Sequence, residues 1–344
     1  MDNPTPKVTV ILPLRNEAES IAVNMRSLVA QDYSHALMEI ILVDGMSQDD
    51  TIKIALEELN NASFLDVLVI QNPARIVPTG LNLALRVAKG DVIIRVDGHT
   101  VIAPDYISQC VQCLNRTNAD NVGGRMNAVG DTRFGNTVAL ATSSPFGIGN
   151  ARFHYSQKVE WVDTVYMGAW PSTVFDKNGL FDEELVRDQD DEFNYRLRES
   201  GGKVLLSPTI KSHYTVRSSP KALAKQYFQY GFWKVRVLQK HPRQMSLRQF
   251  VPPLFVLALL LSVILALALS GGWLVLAGLL AIYLFANILA SIFTGRGQPL
   301  SVTASLPLAF TILHVSYGLG FLIGLLKFAN RWGDKLGKVP PWPL

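Results

Sequence analysis

The chain has 344 residues, enough for one large or two medium domains, with 49% hydrophobic and only 17% charged side chains. Its net charge of +4 calls for no nucleic-acid partner, since basic residues beside apolar stretches are drawn to anionic lipid heads. The two cysteines, Cys110 and Cys113, have redox-like spacing but no second pair, and read as reduced core thiols. In chain order, Val8 to Leu14 reads as a strand, and a helical pattern follows through Ile21, Met25, Leu28 and Val29. Glu39 to Asp44 is a second strand, after which Ser47 or Asp49 can cap a helix from Thr51. Leu65 to Gln71 is a third strand and Gly80 to Ala88 a helix. Gly90 turns into a strand that ends at Asp97. This alternation predicts a mostly parallel, doubly wound α/β sheet, with strand ends at Pro13, Asp44, Asn72 and Asp97 collecting polar residues along one edge.

The last third differs in kind. From Val251 to Phe328 the only charged residues are Arg296 and Lys327. Three stretches, Val251–Leu269, Trp273–Phe293 and Val302–Phe328, are each near the ~20 residues needed to cross hydrocarbon. Met1 to Lys7 is short and polar, which predicts no secretory leader and a cytoplasmic globular part. Lys234, Arg236, Lys240, Arg243 and Arg248 precede the first stretch, as cytoplasmic flanks do. Three crossings, however, put Lys327, Arg331, Lys335 and Lys338 outside. The third stretch carries Pro307, Gly318, Gly320 and Gly324, so a broken or re-entrant helix is the alternative. Ala222 to Leu238, with aromatic residues among Lys225, Lys234 and Arg236, reads as an interfacial helix. The expected organisation is a catalytic domain over 1–220, an interfacial region over 221–249, membrane helices over 250–330 and a basic tail over 331–344.

The segment Arg95-Val96-Asp97-Gly98-His99 ends an apolar run on a hard oxygen donor and a borderline nitrogen donor. Gly98 between them would let an anionic ligand approach the backbone. That chemistry suits a divalent cation holding a diphosphate, although Asp-Gly is also an ordinary turn.

Together with Val10-Ile11-Leu12-Pro13-Leu14-Arg15-Asn16-Glu17 and Val43-Asp44-Gly45-Met46-Ser47-Gln48-Asp49-Asp50-Thr51, this segment resembles family 2 glycosyltransferases of the GT-A fold over about residues 7 to 240. Val162 to Tyr166, Asp188 to Arg198 and Gln226 to Gly231 look most like the succinoglycan-biosynthesis ExoA type. The resemblance implies that Pro13, Arg15 and Glu17 lie near the base and ribose of a nucleotide sugar, with Asp44 accepting from uracil N–H or ribose O–H groups. Glu17 also suits a helix first turn, and Asp44 a turn. Arg75 and Asn82 fall in the donor region, where Arg75 could clamp a diphosphate or simply be a solvated loop arginine. Asp97 and His99 correspond to the family's Asp-x-Asp motif, and His213 is a further metal candidate or a structural histidine. A histidine suits Mn²⁺ better than an all-oxygen site, though Mg²⁺ stays open.

In Arg187-Asp188-Gln189-Asp190-Asp191-Glu192 the resemblance makes Asp190 the base that takes the acceptor proton, with Asp191 as the second choice. Gln189 stands where the family usually has Glu. Trp170 could stack on a sugar or sit in the core. The implied activity is inverting transfer of a hexose, glucose from UDP-glucose, onto a lipid-linked saccharide in exopolysaccharide assembly at the inner (plasma) membrane. Two rivals remain at this point: transfer to a polyprenyl phosphate, and a non-catalytic nucleotide-binding scaffold subunit.

Overall fold

The structure, a computed structural model, describes residues 5–149, 151–334 and 337. In chain order the elements begin β1 (Val8–Leu14), α1 (Ile21–Val29), β2 (Met38–Asp44), α2 (Thr51–Leu59), β3 (Asp66–Gln71), α3 (Val77–Leu85) and β4 (Val92–Arg95). Then come β5 (Thr100–Ile102), α4 (Tyr106–Thr117), β6 (Asn121–Val129), α5 (Arg133–Thr142), α6 (Pro145–Ile148), β7 (Glu160–Trp161) and β8 (Tyr166–Pro171). The chain continues through α7 (Thr173–Asn178), α8 (Gln189–Glu199), β9 (Val204–Thr215), α9 (Pro220–Lys240), α10 (Val251–Ala268), α11 (Gly272–Thr294), α12 (Leu300–Thr303) and α13 (Leu306–Lys327). Contacts divide it into two units. One holds the chain up to Asn127 together with Tyr155–Tyr214 and Gly337, and the other holds Ala128–His154 and the chain from Thr215 to Asp334.

The first unit is built on a sheet of order β3-β2-β1-β4-β8-β6-β9-β5, with β7 beside β9. β3, β2, β1 and β4 are parallel, as the apolar runs predicted. From β8 outward the sheet changes sense, because β4 pairs β8 antiparallel. β1 and β2 are buried on both faces, which is why they read as unbroken hydrophobic runs. Val8, Val10, Leu12, Met38, Ile40 and Leu42 face the core shared with α1, α2 and α4. The alternate residues face α3, where Gly80 lies against Val43. On that face Thr9 donates to Glu39 (2.5 Å) and accepts from the Gly90 N–H (2.9 Å). Cys110 lies in the α4 core and Cys113 is half-buried, and burial pushes both thiols up, so they are unreactive core groups.

In the second unit three stretches are long and apolar enough to cross a membrane: Leu247–Ala268, Gly272–Thr294 and Leu300–Lys327. The third is interrupted between α12 and α13, where Pro307 opens the new helix. α9 is one continuous helix, and it differs from the expected surface helix in one respect. Its Lys234, Arg236 and Lys240 are buried. Arg236 donates to Gln239, to the Arg331 carbonyl (3.4 Å) and to the Asp334 carbonyl (3.3 Å), and lies over the Phe328 ring. Of the basic tail expected over 331–344, residues 331–334 and 337 are described and the rest fall outside the described residues.

Candidate active site

The site grows from the carboxyl ends of β1, β2 and β4, where Leu14 is in register with Asp44 and Ile11 with Arg95. The loops leaving β1 and β2 are stitched together. Backbone N–H groups of Asn16, Glu17 and Ala18 donate to the side chains of Ser47 (3.1 Å), Thr51 (2.8 Å) and Asp49 (3.2 Å). Asn16 in turn accepts from the Gln48 N–H (2.8 Å). Ser47 and Asp49, either of them expected to cap the helix from Thr51, therefore serve with Thr51 mainly to hold the neighbouring loop. Asp49 does both jobs, accepting from the Thr51 N–H (3.1 Å) at the start of α2.

That loop delivers Glu17 to His99. The imidazole Nδ1 lies 3.3 Å from Glu17 Oε1, and Ser20 donates to the other carboxylate oxygen (3.1 Å). The Tyr214 ring meets the His99 ring edge-on at 5.1 Å. Gly98 has a different purpose from the one expected. A Cβ there would sit 2.6 Å from Leu14 Cδ2 and 3.1 Å from Glu17 Cγ, so the missing side chain admits the β1 loop and not a ligand.

Asp97 follows β4 directly. Its Oδ1 accepts from Arg95 Nε at 2.8 Å, its N–H points at Met167 Sδ (3.3 Å), and Asn24 donates to its carbonyl (2.8 Å). Arg95 was read only as part of an apolar strand, yet it ties the site together. Burial is the largest influence on its guanidinium and opposes the charge. The Asp97 and Asp190 carboxylates outweigh that and hold it above its ordinary range. Both acids thus share one nearly buried cation. Asp190 lies on the first turn of α8, where its Oδ1 accepts from the Asp191 N–H (3.0 Å). Glu192 is buried and paired with Arg196 (2.6 Å), which removes it as a rival base. Tyr166 closes this side, its hydroxyl 2.6 Å from Thr100 Oγ1.

The remaining candidates are distributed unevenly. Asp44 accepts from the Ser47 N–H with one oxygen (2.9 Å), so the turn reading holds for that oxygen. Arg15 reaches the Arg75 carbonyl (3.5 Å), which brings the β1 and β3 loops together beside Gly45. Pro13 is part of β1 and half-buried. Asn82 is not aimed at a donor. Its amide accepts from the Phe181 N–H and donates to the Phe181 carbonyl and Glu183, all within 3.0 Å, so it fastens α3 to the segment before α8. His213 stands apart from His99. On β9 it pairs with Val101 of β5 and is exposed, while its neighbour Tyr214 turns to His99, and adjacent strand residues face opposite ways. Trp170 belongs to the core, among Phe175, Phe181 and Phe193.

Backbone strain marks the same rim. Among the described residues six non-glycines have positive φ, and five of them, Asn16, Met46, Arg75, Met167 and Asp188, lie at or beside the strand ends or helix start just described. Only Asn118, at the end of α4, lies elsewhere. Such conformations persist where the surroundings over-determine them, typically at functional sites.

For a metal the chain offers a pair of donors. Among the described residues no three His, Cys, Asp or Glu side chains converge on one point. His99 engages Glu17 through Nδ1, the arrangement in which a carboxylate orients an imidazole whose other nitrogen can ligate. The donor types of Asp97 and His99 suit a divalent ion that completes its shell with phosphate oxygens and water.

Comparison with known proteins agrees with this chemistry. The Glycosyl transferase family 2 profile matches residues 9–178. The chain is 27% identical to the dolichyl N-acetyl-alpha-D-glucosaminyl phosphate 3-beta-D-2,3-diacetamido-2,3-dideoxy-beta-D-glucuronosyltransferase of Methanococcus voltae, over 93% of this chain and 97% of the relative. It is 26% identical to the succinoglycan biosynthesis protein ExoA of Rhizobium meliloti (strain 1021), over 94% and 96%. In fold it is similar to the mannosyltransferase PcManGT from Pyrobaculum calidifontis, solved with GDP-Man and Mn²⁺, with a TM-score of 0.61, 18% identity, and coverage of 94% of this chain and 88% of the other. Family 2 transferases of this fold commonly use a divalent metal. Residues 9–178 are a family 2 glycosyltransferase domain, and the chain is a glycosyltransferase of the GT-A fold.

Proposed function

We propose that the enzyme transfers a hexose with inversion, glucose from UDP-glucose, onto a hydroxyl of a lipid-linked saccharide during polysaccharide assembly at the plasma membrane. The observation that carries this reading is the meeting of strand ends at which Glu17 holds His99 (3.3 Å) and the nearly buried Arg95 holds Asp97 (2.8 Å). It gives the acid and the imidazole that would face the donor phosphates fixed positions. The free oxygen of Asp44 accepts from the base or ribose, with Pro13, Arg15 and Glu17 around it, and Arg75 pairs with the diphosphate. A divalent ion, when bound by Asp97 and His99, neutralises the departing nucleoside diphosphate. Glu17 orients the imidazole, and Arg95 fixes the Asp97 carboxylate. Asp190 takes the proton of the acceptor hydroxyl as its oxygen attacks the anomeric carbon, with Asp191 beside it.

The saccharide acceptor is favoured over a bare polyprenyl phosphate by two things. The Methanococcus relative is named for adding a sugar to a dolichyl-linked one. An already ionised phosphate also needs no base. Asp190→Asn separates these acceptors. With a saccharide acceptor, turnover is expected to fall about 10²- to 10⁴-fold at unchanged donor affinity. With a phosphate acceptor, activity persists. The decisive assay is a donor screen in native lipids with Mg²⁺ or Mn²⁺, reading nucleoside diphosphate release and sugar transfer. If no nucleotide sugar is turned over, the reading fails.

A further inference from the structure

Of the three stretches apolar enough to cross a membrane, α13 has surroundings unlike the other two. We infer that only the α10–α11 hairpin crosses the bilayer, and that α13 lies across its base in the plane of the entry-side interface, as a surface fitted to lipid heads and upper acyl chains. This rests on the membrane reading above and not on the catalytic one. α10 and α11 run antiparallel, with Phe255 stacked on Tyr283 at 4.4 Å. α13 meets them in the half of the hairpin between its open end and Tyr283, in the following contacts. Asn287 donates to the Pro307 carbonyl (3.1 Å), and Tyr283 lies 3.1 Å from His314. A Cβ on Gly318 would touch the Pro252 carbonyl (2.6 Å) and Val256 (2.6 Å), and Phe321 packs on Phe250 at 5.8 Å. Between Pro307 and Phe321 the helix advances about 21 Å, while its partners stay within about 6 Å on α11, from Asn287 to Tyr283, and about 9 Å on α10, from Phe250 to Val256. A helix that moves so far sideways and so little in depth is crossing the hairpin, not accompanying it.

Its other neighbours agree. The second half of α13 runs beside α9, with Gly320 and Gly324 against the Phe228 and Phe232 carbonyls. There α9 buries Lys234, Arg236 and Lys240, cations that are costly at the bilayer centre and tolerable at its edge. Beyond α13, Arg331 and Asp334 are tied to α9. The far part of the hairpin instead exposes Leu260, Ile264, Leu267, Trp273 and Ile282, with an uncharged turn. Two crossings also remove the conflict in charge, because Arg296, Lys327 and Arg331 then share a side with Lys225 and Arg243. Leu308, Ile323 and Leu326, all exposed on α13, form the lipid-facing strip.

The test is labelling of full-length single-site variants Lys53→Cys, Ser270→Cys and Gly333→Cys with a membrane-impermeant maleimide, in right-side-out and inverted vesicles. An added Cβ at Gly333 meets nothing within 4 Å. The unaltered chain supplies the background of Cys110 and Cys113. The expected result is that Lys53→Cys and Gly333→Cys react from one side and Ser270→Cys from the other. Gly333→Cys reacting with Ser270→Cys would mean three crossings and overturn the inference. All three reacting together would mean none, and overturn it too. If Gly333→Cys reacts from neither side, protease access to Arg331 decides on the same terms. Release of the chain by alkaline carbonate would overturn the membrane reading itself, and loss of turnover touches neither.

Discussion

Arg95 is the residue whose removal should be felt most widely. Arg95→Met would strand two carboxylates that share its charge, and breaking a buried pair in this way costs about 3–5 kcal/mol. A lowered melting temperature is expected, together with loss of transfer, and Arg95→Lys should recover stability better than activity because it cannot keep the same planar contact. Glu17→Gln tests the orientation of His99. Removing such a partner typically weakens metal affinity about 10- to 100-fold, read as a shifted Mn²⁺ dependence of turnover. The motifs that carry Asp97, His99, Glu17 and Asp190 are local and could be read in the sequence. The contacts of Asn82 and His213 could not, because what decides them is not local. The partners of Asn82 lie 99 and 101 residues away, and the direction of His213 depends on the register of β9 with β5. Arg95 was visible but passed over as one charge in a buried run.

At the scale of elements, the parallel half of the sheet could be read directly, since strands buried on both faces leave continuous apolar runs. The antiparallel half could not. β5 has three residues and β7 two, and β8 mixes aromatic and small residues, so only distant pairing makes them strands. Two junctions between elements are open to test. Thr51→Val removes the acceptor for the Glu17 N–H and should loosen the β1 loop, lowering activity more than stability. Gly320→Val drives a side chain into the Phe228 carbonyl, where a Cβ would already be at 2.1 Å. A loss of about 1–3 kcal/mol is expected, seen as earlier thermal release of α9 from α13 by hydrogen exchange.

For the whole molecule, hydropathy finds the apolar stretches but not their path, because it measures composition and says nothing of what lies beside a helix. The third stretch is apolar partly for packing against α9 and α10. One dimension described above has a physical corollary of its own. α10 has 18 residues and α11 has 23, which is about 27 Å and about 35 Å of helix against roughly 30 Å of hydrocarbon in a typical bilayer. In the inferred crossing the shorter arm must thin the lipid beside it or stand nearly upright, at a modest cost for each ångström of mismatch. Acyl-chain length then becomes a control on the enzyme. Reconstituted in phosphatidylcholines of graded chain length, the protein should transfer sugar fastest in the thinner bilayers and slow steadily in the thickest. Thickness would thereby also sort the chain among membranes.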